Sequence, residues 1–257
     1  MAAVVGVPTR GWHSVGVGRS WRIEERVGTA ALLHEAWPAT VDDPRTRAVA
    51  ICRVSAPAVV LGSTQQLSVV DGERAERSGM TVTRRRSGGG AVLVTADDPI
   101  WIDAWVPRGD RLWLDDVARA FDWIGDTWAT ALEHLGIVGV SVHRGGLSPC
   151  TPWSSLVCFG GVGTGEVLDS GGRKVVGIAQ RRTRDGAWFH SACLRRWDPD
   201  PLLDVLVLEA DERRAAHADL TGAVVGIDDL LSGDLPTLGM GGQRVVDEFV
   251  GALPLEA

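Results

Sequence analysis

Apolar positions along this chain fall into two periods, one near two residues and one near three and a half, which together describe a mixed α and β protein. Between Ile100 and Val106 the alternation is strict: Ile100, Ile102, Ala104 and Val106 share one face, and Trp101, Asp103 and Trp105 the other. An aspartate on an aromatic face is either a site group or part of a solvated strand surface. Arg47 to Val54 and Ala58 to Gly62 predict two more strands parted by Pro57, and Val70 to Ser78 a short helix closed by Gly79. Met80 to Arg84 and Gly90 to Val94 predict strands on either side of a glycine loop. Trp21 to Trp37 predicts a helix. The strongest helical pattern is Leu112 to Leu135, where Trp113, Val117, Phe121, Ile124, Trp128, Leu132 and Leu135 recur every three or four residues and Gly136 ends the run.

In the second half, Val138 to His143, Leu156 to Phe159, Glu166 to Asp169, Lys174 to Arg182 and Ala187 to Leu194 predict strands. Leu202 to Leu208 and Arg244 to Leu253 predict helices. No repeat and no long linker divides the chain, so residues 1–257 predict one catalytic-sized domain, with a core over about 20–210 and a short helical tail over 211–257.

Composition narrows the classes. With 257 residues, 45% of them hydrophobic, disorder is excluded as the dominant state. No apolar run reaches the ~18 to 20 residues of a membrane span, and Met1 to Gly11 lacks the apolar core of a secretion signal, so the expectation is a cytoplasmic protein without a membrane partner. The four cysteines, Cys52, Cys150, Cys158 and Cys193, have no zinc-like spacing, and the expectation is free thiols and no metal. A net charge of -7 argues against nucleic acid. Charge is uneven, however: Arg84 to Arg86 is a basic triplet, and seven cations against one acid lie between Arg173 and Arg196.

The 26 basic residues are 25 arginines and a single lysine, Lys174, in a chain without asparagine or tyrosine. A genome that drifts away from AT-rich codons explains the pattern, and Lys174 then either survives by chance or marks a place where guanidinium does not replace a compact, rotatable ammonium.

Two glycine-containing passages are candidates for chemistry. Arg84-Arg85-Arg86-Ser87-Gly88-Gly89-Gly90-Ala91-Val92 lets backbone approach a ligand without Cβ atoms in the way, or forms a flexible hairpin turn; it is neither a phosphate-binding P-loop nor a dinucleotide fingerprint. In Gly171-Gly172-Arg173-Lys174-Val175-Val176-Gly177-Ile178-Ala179-Gln180, a strand places small Gly177 and Ala179 opposite the Lys174 face, where a ligand or another strand packs closely.

Together these passages resemble the catalytic domain of lipoate-protein ligases, octanoyltransferases and, more distantly, biotin-protein ligases. The first family signature stands at Arg85 to Val92 and the second, Lys-x-x-Gly-x-Ala, at Lys174 to Ala179; Pro57 to Gln65 resembles the family's strand end before them. The resemblance implies an α+β fold, a single domain with a mixed, largely antiparallel sheet flanked by helices. It implies Lys174 beside the reacting carbonyl, with Arg85, Ser87, Gly88, Gly89, Gly90, Ala91, Val92, Gly177 and Ala179 around the substrate and Val176 and Ile178 helping to line an acyl tunnel. Cys158-Phe159, with fifteen residues between Cys158 and Lys174, is similar to the Cys-Phe of cysteine-dependent octanoyltransferases, where the thiolate takes the acyl group. The bland alternative for Cys158 is an inert small hydrophobe.

The pattern departs from the family after Val92, where its aromatic, His-Asp and asparagines are replaced by Leu93 to Asp98, and at Phe189-His190-Ser191-Ala192, where one histidine remains of two. His190 is either a polar substrate contact or a satisfied structural histidine. The implied activity is attachment of a lipoyl or octanoyl group to a lysine of a lipoyl carrier domain or a glycine-cleavage H-like protein, with acyl carrier protein as thioester donor and no tightly bound cofactor. The alternatives are an ATP-dependent ligase using Mg²⁺, and a non-catalytic acyl- or adenylate-binding relative. Acidic carriers suit Arg181, Arg182 and Arg184.

Overall fold

The structure, a computed structural model, describes residues 9–11, 21–36, 45–231 and 242–255. In its first half the chain runs β1 (Thr9–Gly11), β2 (Trp21–Gly28), α1 (Ala30–Ala36), β3 (Arg47–Val54), β4 (Ala58–Leu61), α2 (Gly72–Arg77), β5 (Thr81–Arg84), β6 (Val92–Val94) and β7 (Ile100–Pro107). There follow α3 (Asp122–His134), β8 (Ser141–Val142), β9 (Ser148–Pro149), β10 (Gly161–Val162), β11 (Val167–Leu168), β12 (Lys174–Arg182) and β13 (Gly186–Cys193). Helices α4 (Asp200–Leu203), α5 (Ala210–Ala223), α6 (Ile227–Leu230) and α7 (Gln243–Ala252) close it.

Eight strands form one sheet in the order β1-β2-β3-β7-β13-β12-β11-β8, antiparallel throughout except for the β2–β3 pair. The mixed, largely antiparallel sheet expected from the sequence is therefore present. The alternation in β7 assigns its two faces. Ile102, Ala104 and Val106 join Phe189 against Ile124, Trp128 and Leu132 of α3, and α7 adds Val245, Val246 and Phe249 to the same core. The rings of Trp128 and Phe249 lie 4.6 Å apart, and burying a side chain such as Phe249 contributes about 1.5–3 kcal/mol. The other face, with Ala48, Ala50, Trp101, Trp105 and Trp188, meets Leu33 of α1 and a second sheet ordered β5-β4-β6. A cleft opens between these two sheets.

Four sequence expectations change. Residues 21–28 are a strand rather than helix: Trp21 to Gly28 pairs residue for residue with Arg47 to Val54, and buried Glu24 meets Arg26. Only Ala30 to Ala36 is helical, and Trp37 lies outside the described residues. The helix expected from Leu112 begins at Asp122 after a 3-10 turn at Arg119–Phe121. Asp110 accepts from the Leu112 N–H, and Asp116 accepts from those of Ala118 and Arg119, so side chains compete with the helical ladder. Val117, assigned to the apolar stripe, is 54% exposed.

Leu156 to Phe159 is not a strand; Val157 makes one bridge to Ala91 and Cys158 opens a 3-10 turn. The helix at Leu202 to Leu208 is confined to α4, because Leu206 instead bridges Val70. Helix α5 lies in the tail expected to be helical, though no separate helix is predicted over these residues. It carries a Glu209/Glu212 capping box and buries only Ala216 and Leu220, too few positions to show an apolar stripe.

Candidate active site

The glycine loop leaves β5 beside β4, and Arg85 organises it. The Arg85 guanidinium donates to the carbonyls of Val60 at 3.1 Å, Gly88 at 2.8 Å and Gly90 at 2.9 Å. It is thus buried among main-chain acceptors. The loop's closeness to its neighbours requires glycine at two points. A Cβ on Gly90 falls 2.6–2.7 Å from backbone atoms of Val157 and Cys158, and Gly89 has φ +100 with its absent Cβ directed at Arg85 and the Cys158 sulfur. Gly88 has open space around it. Ala91 is joined to the cysteine segment by two main-chain bonds: its N–H donates to Leu156 and its carbonyl accepts from Cys158.

The two signatures expected to cooperate thus meet through the Cys158 turn. The Cys158 thiol is half-buried, with Arg85 Nη2 3.8 Å from sulfur. Lys174 is 1% exposed, and its ammonium donates to the Cys158 carbonyl at 3.1 Å and the Gly161 carbonyl at 2.9 Å while pairing with Glu166 at 2.7 Å. Three partners match the three ammonium hydrogens, and the ring of Phe159 lies 5.0 Å away. Gly177 permits this, since a Cβ there would stand 3.3 Å from both Lys174 Cε and the Phe159 ring. A guanidinium carries its donors in a planar, rigid fork, whereas here one compact ammonium nitrogen meets all three partners.

Glu166 is the residue that sequence reasoning missed. Its carboxylate also accepts from the Gly163 N–H at 2.7 Å and the Ile178 N–H at 3.0 Å, so one acid joins the turn after Cys158 to β12. An isolated Glu eight residues from the lysine carries no local pattern; the spatial pairing is made by the antiparallel β11–β12 register.

A cleft of about 490 Å³ opens onto Cys158. Val60, Val92, Val94, Phe159, Gly177, Ile178 and Ala179 give it apolar walls, Arg85 stands at one side, and His34, Trp101 and His190 at another. Val176 does not reach it and packs in the main core. His190 is 7% exposed, and its Nδ1 lies 2.7 Å from Asp103, so the sequence-flagged aspartate on the aromatic face is buried against it. Burial, then the nearby His190 and Arg85, holds the His34 pKa well below the usual histidine value. A second cleft of about 740 Å³ shares Val92, Pro99 and Phe159 with the first and is lined further by Ala91, Trp197 and Arg196.

Other candidates lie elsewhere. Ser87 is buried beneath the loop, where its carbonyl accepts from Ser63. Arg173 is held by Asp169 through two nitrogens, at 2.9 and 2.7 Å. Arg182 donates to the carbonyls of Leu114 and Asp115 and stacks over Trp113, eight residues and about 26 Å along β12 from Lys174. Its neighbours Arg181 and Arg184 share that far end, so this cluster does not border the cysteine. Burial raises the pKa values of Cys52 and Cys193, while Cys150 is exposed.

A family model described as the lipoyl protein ligase A/B catalytic domain matches residues 29–250. Among curated proteins, the octanoyltransferase LipM of Moorella thermoacetica is 27% identical over 181 residues, which is 69% of this chain and 64% of that one; the match therefore spans less than two thirds of the relative. Among solved structures, the bipartite lipoate protein ligase with its E2 lipoyl domain from Thermoplasma acidophilum superposes with a TM-score of 0.68 at 18% identity, covering 91% of this chain and 82% of that one. A lipoate-protein ligase A bound with ATP superposes at 0.62, also at 18% identity, over 91% and 83% of the two chains.

Proposed function

Because the chain belongs to the lipoyl protein ligase A/B catalytic domain family, we propose that it transfers an acyl group of the octanoyl or lipoyl class from a carrier thioester to a lysine of a lipoyl carrier domain, through Cys158. The observation that carries this reading is the placement of the Cys158 sulfur. It lines the apolar cleft, with the Arg85 guanidinium 3.8 Å away and its own main chain clamped by Lys174.

Transfer then proceeds in two balanced steps. The Cys158 sulfur attacks the donor carbonyl, the donor's C–S bond breaks, and the carrier leaves as a thiol with the proton from Cys158. The uncharged ε-amine of the acceptor lysine attacks the new thioester; the Cys158 C–S bond breaks, an amide forms, and a proton returns to sulfur. Arg85 supplies positive charge beside the sulfur, where negative charge gathers in both steps. Lys174 and Glu166 act through position: they fix the carbonyl of Cys158 and the turn that follows. The acyl chain lies along Val92, Ile178 and Ala179, and the second cleft adjoins the first at Val92, Pro99 and Phe159. An acidic lipoyl domain or H-like protein is the proposed acceptor.

The second reading is ATP-dependent ligation with Mg²⁺ as co-substrate, for which the second cleft, lined by Arg196 and Trp197, is a place for a nucleotide next to the first. The experiment compares two mixtures containing a lipoyl domain, one with octanoyl carrier protein and one with lipoate, ATP and Mg²⁺. Acylation of the lipoyl domain from the thioester, lost in Cys158→Ser, supports transfer. Acylation only with ATP, retained in Cys158→Ala, establishes the ligase instead.

A further inference from the structure

One wall of the cleft is a polar cluster that the transfer steps do not use. Gly177 faces Ala192 across β12 and β13 beside Lys174 and Phe159, and the next pair on that face, Ala179 and His190, lies two residues on, about 7 Å away. His190 thus stands one residue pair along the sheet from the part of the cleft beside the Lys174 clamp. Its ring packs 4.2 Å from Trp188 and 5.0 Å from His34, which in turn stacks 4.5 Å from Trp101. Behind it Asp103, 1% exposed, accepts from Trp101 Nε1 at 2.6 Å and holds His190 Nδ1 at 2.7 Å.

The two histidines are more than nine-tenths buried and both line the cleft, and His190 Nε2 and His34 Nδ1 have no hydrogen-bond partner among the described residues. A bare hydrocarbon tail seated against them leaves each nitrogen unsatisfied, a cost that a polar group on the acyl chain removes. Asp103 occupies Nδ1 of His190 and so directs Nε2 at the ligand. Burial and the neighbouring His190 and Arg85 keep His34 uncharged, so it meets a neutral group better than an anion. A hydroxyl donates to His190 Nε2, the acceptor left when Asp103 holds the proton on Nδ1, and accepts from His34 Nδ1 in the tautomer that carries its proton there.

Resting on the reading of this cleft as the acyl site, we propose that the preferred acyl group carries a hydroxyl at the end remote from its carbonyl, seated between His34 and His190. The specificity is set by side chains that the two family signatures do not include.

Titration calorimetry with octanoate and 8-hydroxyoctanoate tests this without any turnover. The hydroxy acid is expected to bind the wild-type protein about tenfold tighter, the equivalent of one well-made hydrogen bond. His190→Phe and His34→Leu are each expected to level or reverse that preference. Equal binding, tighter binding of octanoate, or no binding of either acid overturns the proposal, and the wild-type comparison decides it alone where a variant fails to fold. Acylation of Cys158 by octanoyl thioester, weighed separately, distinguishes failure of this proposal from failure of the transferase reading.

Discussion

Replacing Glu166 by glutamine removes one partner of a fully buried ion pair while nearly keeping its shape. Lys174 is 1% exposed and Glu166 4%, with 2.7 Å between the charges, so the surviving ammonium is left without a counter-ion and without water. Breaking such a pair from one side costs about 3–5 kcal/mol. The carboxylate also accepts from the N–H groups of Gly163 and Ile178, and a carboxamide with one oxygen cannot serve three donors, which places the expected loss at the upper part of that range. Urea unfolding measures it directly. Against a typical domain stability of about 5–15 kcal/mol, the midpoint should fall by about a quarter or more. The double variant Glu166→Gln/Lys174→Met removes both charges and should recover a large part of the stability while remaining inactive, since the Cys158 turn has lost its clamp. A loss below about 1 kcal/mol for Glu166→Gln, or no coupling between the two positions, refutes the reasoning.

Three further outcomes are expected. Gly90→Ala drives a Cβ to within 2.6 Å of Val157 backbone and should destabilise by about 1–3 kcal/mol or more, whereas Gly88→Ala meets nothing within 4 Å and should stay within about 0.5 kcal/mol; thermal melts of the two that coincide would contradict the loop geometry. In native protein, iodoacetamide should label Cys158 and exposed Cys150 but not buried Cys52 or Cys193, whose thiols burial keeps protonated; peptide mapping reads the pattern, and labelling of Cys193 before Cys158 would reverse the assignment. His34 is held below its ordinary value of 6.5, so the unfolded chain binds a proton there that the folded one refuses, and its contribution is present above 6.5 and lost as pH falls below it. Urea midpoints should therefore drop more steeply from about pH 7 to about pH 5 in the wild type than in His34→Leu, and parallel slopes would count against it.

Those parts of the site with local signatures could be read from the chain. The strands β12 and β13 stood out because Lys174 to Arg182 and the run after Gly186 are bounded by glycines, and the Arg85 loop because three consecutive glycines have few other uses. What failed to show depends on pairing across distance. Residues 21–28 look polar enough for an amphipathic helix because Arg22, Glu24, Glu25 and Arg26 are charged, and the structure pairs Glu24 with Arg26 and Glu25 with Arg53 inside a sheet. Asp103 could be seen on the aromatic face of its strand, but not that His190 sits opposite it in register. Glu166 and His34 have no sequence context at all. They join the site because β11 folds back on β12 and because α1 covers the open face of the large sheet.

The most direct test of the account is the mass of the intact protein after mixing with octanoyl carrier protein in the absence of any acceptor. Transfer through Cys158 predicts one octanoyl adduct, located on the Cys158 peptide, absent in Cys158→Ser and discharged when a lipoyl domain is added. An unmodified mass, from a protein that nevertheless labels the lipoyl domain when given lipoate and ATP, would contradict it.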